Sequence, residues 1–148
     1  MEITMKENIE FKTEHPYNYC IITYKGIKFE GIAQCHANDD EFFSERTGLC
    51  IAEARATIKK KQFIRDFELK SQLKILKHLY KNIQNSKYFN PKSHETYRII
   101  GQIAAIEKEI AMINTEITEE KKYLKEYIDD KDKFYRKIER RREKDKNN

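Results

Sequence analysis

The amino-acid sequence predicts an α+β chain: a small antiparallel β-hairpin or sheet followed by two long antiparallel helices with coiled-coil-like seams. Three observations carry that reading. Two runs rich in aromatic and β-branched residues, Tyr17–Tyr24 and Ile27–Cys35, are separated only by Lys25 and Gly26. From Leu49 to about Asn85 neither Pro nor Gly occurs, so a long helix can run there without a breaker. From Tyr97 to Ile138 apolar residues recur at alternating steps of three and four, beginning Ile99, Ile103, Ile106, Ile110, Ile113 and Ile117. That spacing keeps one stripe on a single helical face, the pattern of a helix packed lengthwise against another.

The elements follow in order. Met1–Pro16 is polar, but Ile9, Phe11 and Thr13 alternate with charged residues and allow an edge strand. The two-residue break containing Gly26 predicts a β-hairpin over 17–35. On its second strand Ile27, Phe29, Gly31, Ala33 and Cys35 share one face, and the small residues Gly31 and Ala33 predict a helix crossing closely. A polar loop over 36–48 carries the adjacent aromatics Phe42 and Phe43. Thr47, or Ser44 before it, is the N-cap candidate for a first helix over 49–85. Ala52, Ala54 and Ala56 let another backbone come near its first third. The connector 86–94 follows, where Asn90-Pro91 disfavours helix at Asn90 and Ser93 can cap the second helix, over 95–142.

A helix of about 45 residues is about 65 Å long. Read back from the connector, the first helix ends at the hairpin before the second runs out. The seam beyond Glu120 continues through Leu124, Ile128, Lys131, Tyr135 and Ile138. The excess, with Tyr123, Leu124, Tyr127, Ile128, Phe134 and Tyr135, needs a partner from another chain. The stripe therefore predicts a homo-oligomer, at least a dimer through the long helices.

At 148 residues the length suits a single domain. The net charge is +5, yet Arg136, Lys137, Arg140, Arg141, Arg142, Lys144 and Lys146 crowd into the tail, leaving a body near neutrality. This argues against a general nucleic-acid footprint. The tail reads as a solvated helix end whose cations suit the negative end of the dipole. Cys20, Cys35 and Cys50 are odd in number and lack paired spacing, the N-terminus has no apolar signal region, and no window approaches about 18 consecutive apolar residues. The expectation is an intracellular, soluble chain without disulfides or membrane association.

Enzyme signatures are absent: no Gly-rich phosphate loop, no Gly-x-Ser-x-Gly, no His-Glu-x-x-His. Cys35, His36, Asp39 and Asp40 superficially resemble metal ligands, but no second Cys/His pair stands at zinc spacing. The sequence predicts no metal, no cofactor and no catalysis. Arg55, within the small and apolar run Ile51–Ile58, has two readings. One is a salt bridge to Glu53, Asp39 or Glu41; the other is an anion clamp whose planar fork suits phosphate. Lys25, Lys28 and Arg46 could supply companion charge. In the connector, Phe89 offers a ring and Asn90 an amide, the two features that a purine needs. The alternative is that they close the end of the helical hairpin. Tyr97 and Arg98 follow within a turn or two and can add a hydroxyl and a second phosphate contact.

The segment Gly31-Ile-Ala-Gln-Cys-His36, then Asp39-Asp-x-Phe-Phe-Ser-x-x-Thr-Gly48, then Ile51-Ala-x-Ala-Arg-Ala-Thr-Ile-Lys59 resembles small phage proteins that defeat the bacterial Thoeris defence. These are the first anti-Thoeris sponge family, which sequesters cyclic ADP-ribose signals. The likeness covers about residues 17–60, with the long helices agreeing in architecture only. It implies a small sheet on two long helices, dimerised through them and built into a hexamer in the host cytoplasm. It also implies that glycosylated cyclic ADP-ribose is bound without cleavage, with cyclic oligonucleotides as further ligands at separate sites. Arg55 is the residue it assigns to phosphate. Two other classes remain open on the residues alone: a coiled-coil adaptor that inhibits a defence protein, and a basic nucleic-acid binder.

Overall fold

The computed structural model describes residues 7–34 and 45–146. Three strands, β1 (Asn8–Glu14), β2 (Tyr17–Tyr24) and β3 (Ile27–Gln34), form an antiparallel sheet in the order β1-β2-β3. Helix α1 (Glu45–Phe63) passes through a π-helical segment (Ile64–Leu69) into α2 (Lys70–Gln84), and α3 spans His94–Lys146. The chain is α+β, and the edge strand allowed by Ile9, Phe11 and Thr13 is β1. The metal-like group Cys35, His36, Asp39 and Asp40, the loop aromatics, the N-cap candidate Ser44 and the side chains of Tyr135 and Ile138 lie outside the described residues.

By its internal contacts the chain divides into two compact units, one of residues 1–60 with 119–148 and the other of residues 61–118. In the sheet-bearing unit, Lys25 (φ 49°) and Gly26 (φ 78°) both take positive φ, the geometry of a two-residue hairpin turn matched to the twist of the strands. Tyr24 pairs with Ile27, and in register Cys20 faces Gly31 and Asn18 faces Ala33. Phe11 faces Cys20 on the other side. This face of the sheet packs on α1, and Cys20, Ile22, Ala33, Ala52 and Ala56 form its buried core.

Gly31 is where the helix comes closest. A Cβ there would collide with the Ala52 carbonyl oxygen and would lie 2.6 Å from the Ala56 nitrogen. The crossing predicted from Gly31 and Ala33 is present, made by the alanines at helical spacing. Burial pushes the Cys20 thiol up to about 11, which holds it protonated and inert at neutral pH.

The helix begins earlier than the predicted Leu49. Thr47 is not its cap but a residue inside it. Thr13 Oγ1 lies 3.0 Å from Glu45 Oε1 and from Asn18 Oδ1, and can donate to either; this ties the first turn to β1. Gly48, expected at the end of a loop, is buried in α1 against the Asn18 side chain.

In the helical unit, Ile99 and Ile117 are each 3 % exposed, and Ile103, Ile106, Ile110 and Ile113 between them are half-buried. The seam is therefore covered within the chain here. Lys61–Glu116 and Lys77–Glu107 ion pairs, both 3.4 Å, flank it in the antiparallel sense. The π-helical segment interrupts the first long helix, which the seam spacing does not anticipate. It carries Arg65, whose guanidinium holds Asp66 down to about 2, with Lys70 assisting, and also donates to Asn114 Oδ1 at 3.0 Å. Ser93 caps α3 as predicted, accepting from the Thr96 amide at 3.2 Å. No helix of the described residues is long and apolar enough to cross a membrane.

Candidate anion-binding site

The hairpin fixes which backbone groups of β3 point outward. Tyr24 and Ile27 close a two-residue turn and so exchange hydrogen bonds. Phe29, Gly31 and Ala33 then bond to β2, while Lys28, Glu30 and Ile32 turn their carbonyls to the outer edge. Two cations of α1 meet those carbonyls: Arg55 Nη1 donates to Ile32 O at 2.5 Å, and Lys59 Nζ donates to Glu30 O at 2.7 Å. Arg55 and Lys59 stand four residues apart on one helix face, directly beyond the Gly31 crossing. An edge strand that would otherwise offer bare carbonyls is capped by side chains.

Toward the hairpin tip the positive row continues. Lys25 Nζ lies 5.2 Å and Lys60 Nζ 6.0 Å from the centre of the Tyr24 ring, and Lys60 is also ion-paired to Glu7. Lys25 holds a left-handed backbone conformation where Asn or Gly would be easier, so a cation occupies the tip despite the turn's preference. Lys28 is exposed on β3. Lys25, Lys60, Lys59 and Arg55 follow the hairpin tip and the β3 edge, whereas Lys28, alternating with Phe29, stands with Glu30 on the face turned away from α1.

Of the carboxylates expected beside Arg55, Asp39 and Glu41 lie outside the described residues, and the Ile32 carbonyl is a partner that neither reading anticipates. Among the described residues no carboxylate pairs with it. Its bond to Ile32 uses one of five guanidinium N–H donors, leaving a fork anchored at one corner and exposed to solvent. The spacing of Arg55 and Lys59 was available in the sequence as a signal for Lys59. The carbonyl partners were not, because they depend on strand register. Arg46 is exposed beside a different groove, lined with Phe11, Leu49 and Cys50.

The other predicted residues fall in the helical unit. Phe89 is half-buried, and its amide donates to Ser86 O at 3.2 Å. Asn90 closes its own turn: Oδ1 accepts from the Lys92 amide at 3.0 Å, and its carbonyl accepts from Thr96 Oγ1 at 2.9 Å. The ring presented to solvent is that of Tyr88, 87 % exposed, followed by Tyr97 at 60 %; Arg98 is exposed as well. The seven predicted site residues thus divide between the units, with Lys25, Lys28 and Arg55 in one and Phe89, Asn90, Tyr97 and Arg98 in the other. Among the described residues no group of three His, Cys, Asp or Glu side chains is placed to hold a metal ion.

Comparison with protein-family models, curated proteins and solved structures returns no match.

Proposed function

We propose that this chain binds an anionic cyclic nucleotide at the Arg55–Lys59 edge and holds it without cleaving it, acting as a phage anti-defence sponge in the host cytoplasm. The observation that carries this reading is the anchored fork of Arg55. A guanidinium fixed through one nitrogen on a rigid edge is preorganised for phosphate, and the remaining donors keep the planar geometry that a lysine lacks. Lys59 adds charge without fixing orientation. The resemblance over residues 17–60 assigns the same arginine to phosphate and supplies the ligand class, glycosylated cyclic ADP-ribose. The connector residues Phe89 and Asn90 lie in the other unit and are not part of this proposal. Self-assembly through α3 belongs to the same proposal, with Tyr123 and Phe134 still 68 % and 56 % exposed as the surface it would use.

The test is incubation of purified protein with a cyclic ADP-ribose or a cyclic adenine oligonucleotide, followed by heat denaturation and analysis of what is released. Intact ligand supports sequestration, cleaved ligand indicates an enzyme, and no binding favours an adaptor. Calorimetry then assigns the site. Arg55→Ala should weaken binding by about tenfold to a hundredfold, the value of a charge-assisted hydrogen bond. Arg55→Lys should recover only part of that loss. A lower melting temperature with unchanged affinity would leave Arg55 as an edge cap alone.

A further inference from the structure

The two edges of the sheet are treated differently, and the difference points to a partner. On β2, Asn18, Cys20, Ile22 and Tyr24 bond to β3, so Tyr17, Tyr19, Ile21 and Thr23 bond to β1. In the observed register their partners are Glu14, Lys12, Glu10 and Asn8. The backbone N–H and C=O groups of Ile9, Phe11 and Thr13 therefore point away from the sheet. Among the described residues nothing caps them as Arg55 and Lys59 cap β3. All seven residues of β1 are exposed, with Phe11 at 50 % and Ile9 at 42 %.

We infer that β1 pairs with β1 of a second copy of this chain, antiparallel about a two-fold axis at Phe11, to make one continuous sheet. The strand is complementary to itself in that register and no other of full length. With Phe11 opposite the partner's Phe11, the outward backbone groups of Ile9 meet those of the partner's Thr13. On the opposite face Glu10 stands across from the partner's Lys12, and Lys12 across from the partner's Glu10. Asn8 then faces the partner's Glu14, so no like charges are opposed. The charged pairs fall at non-hydrogen-bonded positions, where antiparallel side chains stand closest. Alone, Lys12 bonds its own neighbour Glu14 at 2.8 Å, with both side chains more than half exposed, and remains within reach of a second carboxylate.

The face turned toward α1 is prepared as well. A groove of about 330 Å³ lined by Phe11, Leu49 and Cys50, with Arg46 among the carboxylates Glu45 and Glu53, lies beside this edge, on the side of the sheet to which Phe11 projects. A second Phe11 crossing the axis would enter such a groove. Shared backbone ladders and closed two-fold symmetry let identical edges satisfy each other. This contact is independent of the nucleotide reading and separate from the long helices.

Charge reversal tests it in the full-length protein. Glu10→Lys places like charges across the axis, and so does Lys12→Glu, so each variant alone should weaken edge pairing by about tenfold to a hundredfold. Mixed in equal amounts, the two variants become complementary, because the cations of one face the carboxylates of the other. The readout is hydrogen exchange of the Ile9, Phe11 and Thr13 amides, with mass by light scattering alongside. Wild type should show these amides slowed by more than about a hundredfold, each variant should lose that protection, and the mixture should regain it. Phe11→Pro should also dissociate the edge while sparing the β1–β2 ladder, since the Phe11 nitrogen points outward. Fast exchange in wild type overturns the proposal. So does protection that persists in both single variants, which would mean that another segment or partner covers the edge, and so does failure of the mixture to restore it.

Discussion

The sheet-bearing unit and the helical unit are held together by opposite means. Around Gly31 the structure depends on the absence of side chains: Gly31 meets the backbone of Ala52 and Ala56, Gly48 makes room for the Asn18 side chain, and the buried core is small. Along α3 it depends on their presence, with isoleucines filling a seam at steps of three and four and ion pairs at its margins. Close backbone approach leaves no volume to absorb an added methyl, whereas a seam of branched side chains fails when volume is removed. The same substitution should therefore have different consequences in the two units.

Gly31→Val should produce the largest effect. Its Cβ would meet the Ala52 carbonyl and the Ala56 amide, both fixed by the helix ladder, so α1 must withdraw from the sheet. That withdrawal would also pull Arg55 and Lys59 off the β3 carbonyls. We expect destabilisation of more than about 4 kcal/mol, beyond the ordinary range for single changes, seen as loss of the folded signal in thermal or urea melting. A variant that melts within a few degrees of wild type would show that the crossing is slack.

Ile99→Ala probes the seam from the other direction. Ile99 is 3 % exposed, and truncation there should cost about 2–4 kcal/mol from lost transfer energy and the cavity left behind. The change should leave nucleotide binding per folded molecule intact. Loss of binding at full occupancy of the folded state would tie the site to the helical unit.

This division also explains what could be read from the sequence. The hairpin, the edge strand, the close crossing and the α3 seam were legible because each is a local pattern: a Gly-containing break, alternation, two small residues on one face, a three-four repeat. The start of α1 was not, because Glu45 is tied to the distant Thr13, and neither was the π-helical segment, which leaves the apolar spacing nearly unchanged. For the proposed site, the sequence marks Arg55 as a guanidinium in a small-residue run. Its partner was not legible, since the outward carbonyl of Ile32 follows from sheet register rather than from any neighbour in the chain. For Phe89 and Asn90 the sequence leaves two readings, a purine site and a closed turn, because an aromatic residue and an amide in a connector serve either; the Asn90 hydrogen bonds are those of a turn.

The smallest predicted effect sets two glycines against each other. Gly101 lies inside α3, and a Cβ added there would meet nothing within 4 Å. It is exposed, so no packing requires it to be glycine, and a helix interior penalises its backbone freedom. Gly101→Ala should stabilise the protein by about 0.5–1 kcal/mol, measured as a raised urea midpoint with an unchanged slope. Gly31→Ala, the identical chemical change on the sheet, should destabilise it through the Ala52 carbonyl. The sign of the pair is the informative quantity. If Gly101→Ala also destabilises the protein, an added methyl on that exposed face must be colliding with a surface of another chain. The helical unit would then share the intolerance of the sheet-bearing one, and α3 would be packed on both sides.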